Sequence, residues 1–225
     1  METVQHHGES LAYLTIHPNN YRQEESYPLI ILLHGFGANM HDLASLAPAI
    51  DQAGYVYACP NAPVAFQIGP GMVGYGWGAP GATEDPSSVV GMLWTFFDEV
   101  MEKYQVPPGQ VILGGFSQGA RMTYRCGLGR PDVFAGLIAL SGAPRDLEDL
   151  RGRLPAERMQ PIFVAHGTDD PMSPVERARS TVAFLKTEGY SPVYNEYPMG
   201  HEISPEVLAD LVPWIRTVLP PSQVI

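Results

Sequence analysis

Cysteine is scarce, two among 225 residues, and that excludes a scaffold stapled by disulfides. Cys59 and Cys126 both stand in apolar surroundings and read as buried free thiols. Positive charge is scarce too: 13 Lys and Arg stand against 24 Asp and Glu, a formal net charge of −11. Nucleic-acid binding rests on basic patches facing phosphate, and an anionic bilayer surface repels such a chain, so neither is an expected partner. No apolar segment approaches the length needed to span a bilayer, so no stable membrane insertion is expected. The first eight residues carry no basic cap ahead of an apolar stretch; no signal peptide is predicted, and a cytoplasmic location follows as the default. Internal repeats and low-complexity linkers are missing as well. The length suits one domain, 1–225, with a substantial core.

What is present is a chain with 45% hydrophobic residues in which short apolar, β-branched runs alternate with segments of helical period. That pattern predicts an α/β fold with a largely parallel central sheet and helices on both faces. Strands are expected at 11–16, 29–33, 55–59, 111–114, 137–141, 162–166 and 193–197. Several are continuously apolar, as befits strands covered on both sides. Helices are expected near 43–53, 89–104, 118–128, 175–188 and 205–219. The last is the clearest: Val207, Leu208, Leu211, Val212, Ile215, Val218 and Leu219 form one stripe, with Ser204 and Pro205 at its start.

Residues 60–86 lack usable periodicity and are crowded with glycine and proline. Long structureless loops in compact domains are often functional. Phe66, Met72, Tyr75 and Trp77 give this one the material for a wall or lid over a substrate pocket. The structural alternative is a loop that packs its own aromatics on the surface, and a contact between two copies, a homodimer, would also use them.

The chemistry concentrates at Gly115-Phe116-Ser117-Gln118-Gly119, behind the apolar run Val111-Ile112-Leu113 and ahead of a breaker-free helical run. In such a G-x-S-x-G elbow the serine sits on a strained strand-to-helix corner with its hydroxyl exposed, and glycines flank it because a side chain would collide there. The helix N-terminus that follows offers free N–H groups to an oxyanion.

A serine hydroxyl needs a base, and on this elbow the partners follow in the order serine, acid, histidine. Of seven histidines only His166 and His201 come after Ser117. His166 precedes the acidic loop Asp169-Asp170-Pro171, so His201, in a turn between the last strand and the last helix, is the candidate base. Either Asp169 or Asp170 would accept from its Nδ1–H and hold the tautomer that leaves Nε2 free. A second oxyanion donor is expected after an early strand, where His34-Gly35-Phe36-Gly37 points to the Phe36 N–H as partner of the Gln118 N–H. Such donors are typically worth ~3 kcal/mol each.

Taken together, His34-Gly35-Phe36-Gly37, the elbow, His166-Gly167-Thr168-Asp169-Asp170-Pro171 and Gly200-His201 resemble the phospholipase/carboxylesterase family of small α/β-hydrolases, which includes bacterial carboxylesterases and acyl-protein thioesterases. The resemblance spans nearly the whole chain. It implies an α/β-hydrolase fold, Ser117 as nucleophile, His201 as base, Asp170 (the aspartate directly before the proline) as acid, Phe36 and Gln118 as oxyanion donors, and no metal or organic cofactor. The chain departs from the family where a tryptophan is often followed by another aromatic and an aspartate: here Trp77 is followed by Gly78-Ala79-Pro80-Gly81. The function implied is hydrolysis of a small-molecule carboxylic ester through an acyl-enzyme. Thioesters or lysophospholipids at the same site, and a non-catalytic binding protein on the same fold, are the alternatives.

Overall fold

Alternation along the strand at 29–33 decides the layering. Leu29, Ile31 and Leu33 join one buried apolar cluster while Ile30 and Leu32 join another, so this strand lies between two cores with helices on either side. The structure, a computed structural model, describes residues 1–82 and 86–223. In chain order it contains β1 (Glu2–His7), β2 (Ala12–His17), β3 (Leu29–Leu33), a 3-10 turn (Leu43–Leu46), α1 (Ala47–Ile50) and β4 (Val56–Pro60). Next come β5 (Val64–Gly69), β6 (Met72–Gly76), α2 (Ser87–Lys103), β7 (Val111–Phe116), α3 (Gln118–Gly127) and β8 (Phe134–Leu140). The chain ends with α4 (Leu147–Arg151), β9 (Ile162–Gly167), α5 (Val175–Thr187), β10 (Val193–Tyr197) and α6 (Pro205–Val218).

Eight strands form one sheet in the order β1-β2-β4-β3-β7-β8-β9-β10. The β1–β2 and β2–β4 pairs are antiparallel, and from β4 to β10 every neighbour is parallel. One face carries α2, α3 and α5 through Phe96, Phe97, Met122 and Leu185. The other carries α1 and α6 through Ile50, Val207, Leu211 and Ile215. Each such side chain withdrawn from water contributes roughly 1.5–3 kcal/mol. The α/β-hydrolase fold that the resemblance implies, a largely parallel sheet with helices on both faces, is the one observed. No helix among the described residues is long and apolar enough to cross a membrane.

Three expectations need correction. The helix expected at 43–53 ends at Ile50, because Asp51 turns extended (φ −167°) and its Oδ1 accepts from the backbone N–H of Ala53 and Gly54, both at 2.8 Å. Side-chain acceptance of this kind competes with the helix ladder. An edge strand, β1, precedes the first expected one; its single apolar residue among polar neighbours carries no core signal. Most consequential, 60–86 is not a structureless loop. It holds the antiparallel β5–β6 hairpin, with a register shift between Gln67 and Gly69 that breaks the period-two pattern.

Backbone bonds fasten this hairpin to the chain after β3. The Gly37 N–H donates to the Tyr75 carbonyl (2.9 Å) and the Tyr75 N–H to the Ala38 carbonyl (3.0 Å). Glycine at 74 permits the approach, since a Cβ there would lie 2.4 Å from the Gly37 oxygen. Gly74→Ala is therefore expected to detach the hairpin, at about 1–3 kcal/mol. Limited proteolysis should show faster cleavage within 64–76 than in the wild type, and unchanged cleavage would disprove the attachment.

Candidate active site

Ser117 is held at φ 54°, ψ −113°, between the last residue of β7 and the first of α3. Left-handed backbone is costly for a residue with a Cβ and persists only where its surroundings enforce it. Here the enforcement is the contact between α3 and β3: a Cβ on Gly119 would sit 1.9 Å from the Leu33 carbonyl oxygen. The Ser117 N–H extends the sheet by donating to the Leu140 carbonyl at 2.8 Å. Although Ser117 stands at the N-cap of α3, its hydroxyl makes no capping bond. It faces His201 instead.

His201 Nε2 lies 2.9 Å from Ser117 Oγ, and its Nδ1 lies 2.7 Å from Asp170 Oδ2. A carboxylate only accepts, so Nδ1 carries the proton and Nε2 is the acceptor for the serine hydroxyl. The ring rests on Phe116, with centroids 4.8 Å apart. Asp170 Oδ1 accepts from the Met172 and Ser173 N–H groups, both at 2.8 Å. Burial opposes its charge, but hydrogen bonds from His201, Ser173 and Met172 outweigh it and hold the carboxyl below its ordinary range. Asp169 is exposed and turns elsewhere: its N–H donates to the Met199 carbonyl at 3.1 Å, and its carboxylate accepts from the Thr168 hydroxyl. Of the two aspartates left open by spacing, Asp170 is the one brought to His201.

His166, set aside on chain order, is wholly buried beside this group. Its Nε2 donates to the Ser173 carbonyl at 2.7 Å and lies 3.4 Å from Asp170 Oδ2. It thus ties down the loop whose N–H groups hold Asp170, a role that order along the chain does not reveal.

Phe36 and Gln118 both line the cavity at Ser117, and neither backbone N–H has an acceptor among the described residues. A polar layer fixes them from below. The buried His34 ring accepts from the Ala62 N–H at Nε2 (3.0 Å) and donates from Nδ1 to the Gly35 carbonyl (2.7 Å). Trp77 donates its indole N–H to the His34 carbonyl and its backbone N–H to Gln118 Oε1, each at 2.9 Å. A cavity of about 470 Å³ opens above Ser117, within the usual range for small-molecule sites.

None of the four side chains assigned to the pocket lines that cavity. Trp77 is 0% exposed, because its hydrogen bonds draw it beneath the site. Tyr75 packs against the core, Phe66 stacks on Phe36 at 4.4 Å, and Met72 is 59% exposed at the hairpin turn. The lining comes instead from Arg121, Ser141, Arg145, Met172 and Arg177 among others. Their spread over α3, the connections after β8 and β9, and α5 leaves no local motif. No group of three or more His, Cys, Asp or Glu side chains among the described residues is arranged to hold a metal ion.

Burial pushes the His34 imidazole from 6.5 down to about 4, against the opposing effect of its bond to Gly35. Between those values the unfolded chain binds a proton that the folded one refuses. Stability is thus complete above pH ~6.5 and falls as pH drops toward ~4, by up to about 3 kcal/mol. Urea unfolding at pH 7 and pH 4.5 should show a smaller difference for His34→Gln than for the wild type; equal differences would refute this origin.

A family model described as Phospholipase/Carboxylesterase matches residues 20–219. Acyl-protein thioesterase 1 of Gibberella zeae is 28% identical over 216 residues, covering 86% of this chain and 92% of its own. Among solved structures, Arabidopsis thaliana SOBER1 is 25% identical at a TM-score of 0.73, covering 86% of this chain and all of its own. The Bacillus cereus carboxylesterase, at 19% identity, shares the fold with a TM-score of 0.76 over 93% of this chain and 95% of its own. The chain belongs to the phospholipase/carboxylesterase family and is a hydrolase of the esterase and thioesterase kind.

Proposed function

We propose that the protein is a serine carboxylesterase in which Ser117, His201 and Asp170 act as a triad. The observation that carries this reading is the unbroken relay from Asp170 Oδ2 to His201 Nδ1 (2.7 Å) and from His201 Nε2 to Ser117 Oγ (2.9 Å). Ser117 Oγ attacks the ester carbonyl carbon as its proton passes to Nε2, and the resulting imidazolium is steadied by ionised Asp170. The carbonyl oxygen becomes an oxyanion facing the N–H groups of Phe36 and Gln118. Collapse breaks the C–O bond, the alcohol leaves with the proton from Nε2, and an acyl-serine remains. Water then surrenders a proton to Nε2, attacks the acyl carbon, and releases the acid as Ser117 regains its hydrogen.

The same steps serve a thioester, whose thiolate leaves more readily than an alkoxide. That second reading is favoured by the relatives named as acyl-protein thioesterases. Kinetics on an ester and a thioester of the same acyl group rank the two by kcat/KM.

Ser117→Ala is expected to abolish turnover of a short chromogenic ester while leaving the thermal midpoint close to the wild type. Asp170→Asn should lower kcat by roughly 10³–10⁴-fold through loss of the ring orientation, while Asp169→Asn stays within about threefold. Comparable losses in the two asparagine variants would remove Asp170 from the proposal.

A further inference from the structure

The cavity above Ser117 contrasts with the rest of the molecule. In a chain with 24 acidic and 13 basic residues, Arg121, Arg145 and Arg177 all line it, and no described lining residue is Asp or Glu. The three arginines come from separate elements: α3, the connection after β8, and α5. Arg177 is exposed, and its guanidinium has no acceptor among the described residues.

A second polar feature lies at the floor. Ser141, immediately past β8, has φ 49°, is 1% exposed, and its buried Oγ has no hydrogen-bond partner among the described residues. Strained backbone and an unsatisfied buried hydroxyl both carry a cost, and a ligand oxygen reaching this point would remove part of it.

The apolar side of the lining is thin. Its large apolar members are Phe36 and Met172, 47% and 76% exposed, and the remaining described ones besides the arginines are Ala, Gly, Ser, Gln and His201. Each methylene of an acyl chain gains about 0.8 kcal/mol only where it is enclosed by apolar walls. These walls reward charge and short reach rather than chain length.

We propose that this site selects short esters or thioesters bearing an anionic group, a carboxylate or a phosphate, docked by Arg145 and Arg177 while the reacting carbonyl lies at Ser117. The proposal rests on the reading of Ser117 as nucleophile. Planar guanidinium forks match such oxyanions in bidentate geometry. With a net charge of −11, the protein as a whole repels anions, so the preference is local to this cavity.

The test compares kcat/KM for 4-nitrophenyl butyrate, 4-nitrophenyl octanoate and the mono-4-nitrophenyl ester of glutaric acid. The glutarate monoester is expected to exceed both neutral esters. In Arg177→Gln and Arg145→Gln, the ratio of glutarate monoester to butyrate should fall about tenfold, carried by KM, as expected for loss of a charge-assisted contact. Competitive inhibition of butyrate hydrolysis by glutarate and by inorganic phosphate distinguishes the two anion sources, and stronger inhibition by one names it. Preference for a neutral ester, or a ratio unmoved in both variants, overturns the proposal. Labelling of Ser117 by a fluorophosphonate separates the two levels. An adduct with charge-blind kinetics refutes only the anionic preference, whereas no adduct and no turnover refute the nucleophile reading and this proposal with it.

Discussion

The contact between the start of α3 and the end of β3 is the constraint on which the site depends. It leaves no room for a side chain at Gly119, whose Cβ would fall 1.9 Å from the Leu33 oxygen. It also holds Ser117 in a left-handed conformation. With the elbow fixed there, the parallel sheet arranges the rest. Phe36, Ser117, Ser141, Asp170 and His201 each lie within a few residues of the C-terminal ends of β3, β7, β8, β9 and β10, which are consecutive neighbours in the sheet. Ligands of open α/β sheets collect at that edge. Residues spread over more than 160 positions of sequence therefore meet without any long-range device beyond strand order.

Beneath Phe36 and Gln118, the buried side chains of His34 and Trp77 are paired. His34, Trp77 and Gln118 exchange bonds with one another and with the backbone at 2.7–3.0 Å. In a low-dielectric interior an unpaired polar atom is costly, and a complete network specifies one arrangement. This network reaches the two segments that carry the Phe36 and Gln118 N–H groups, and the β5–β6 hairpin joins it through Gly37 and Tyr75. The hairpin thus serves as a brace for the turn after β3, whereas its sequence is compatible with a wall over substrate, a loop packed on the surface or a contact between two copies.

How legible the molecule was depends on whether the signal is local. The continuously apolar strands, the α6 stripe and the elbow are readable because each declares itself within a few neighbouring residues. The strand at 193–197 was placed at its observed bounds and the helix at 118–128 within one residue. Asp51 escaped notice because a helix stopped by a side-chain acceptor keeps its apolar period up to the stop. The hairpin escaped because glycine at 69, 74 and 76, needed for a bulge and for close backbone approach, erases alternation. The bracing role of His166 and the place of the arginines around the cavity are not legible for a different reason: their neighbours in space are set by strand order. The choice between Asp169 and Asp170 likewise turns on which side chain the loop aims inward, a matter of backbone direction that residue spacing does not carry.

The turns after β9 and β10 are joined by their own backbone. Thr168 N–H donates to the Tyr197 carbonyl at 2.8 Å and Asp169 N–H to the Met199 carbonyl at 3.1 Å, just ahead of Asp170 on one side and of His201 on the other. Carboxylate and imidazole are consequently tied to one another through backbone, while Ser117 is tied to β3 and β8. A shift of the one pair of turns against the elbow would alter the Nε2–Oγ distance and spare the Nδ1 contact.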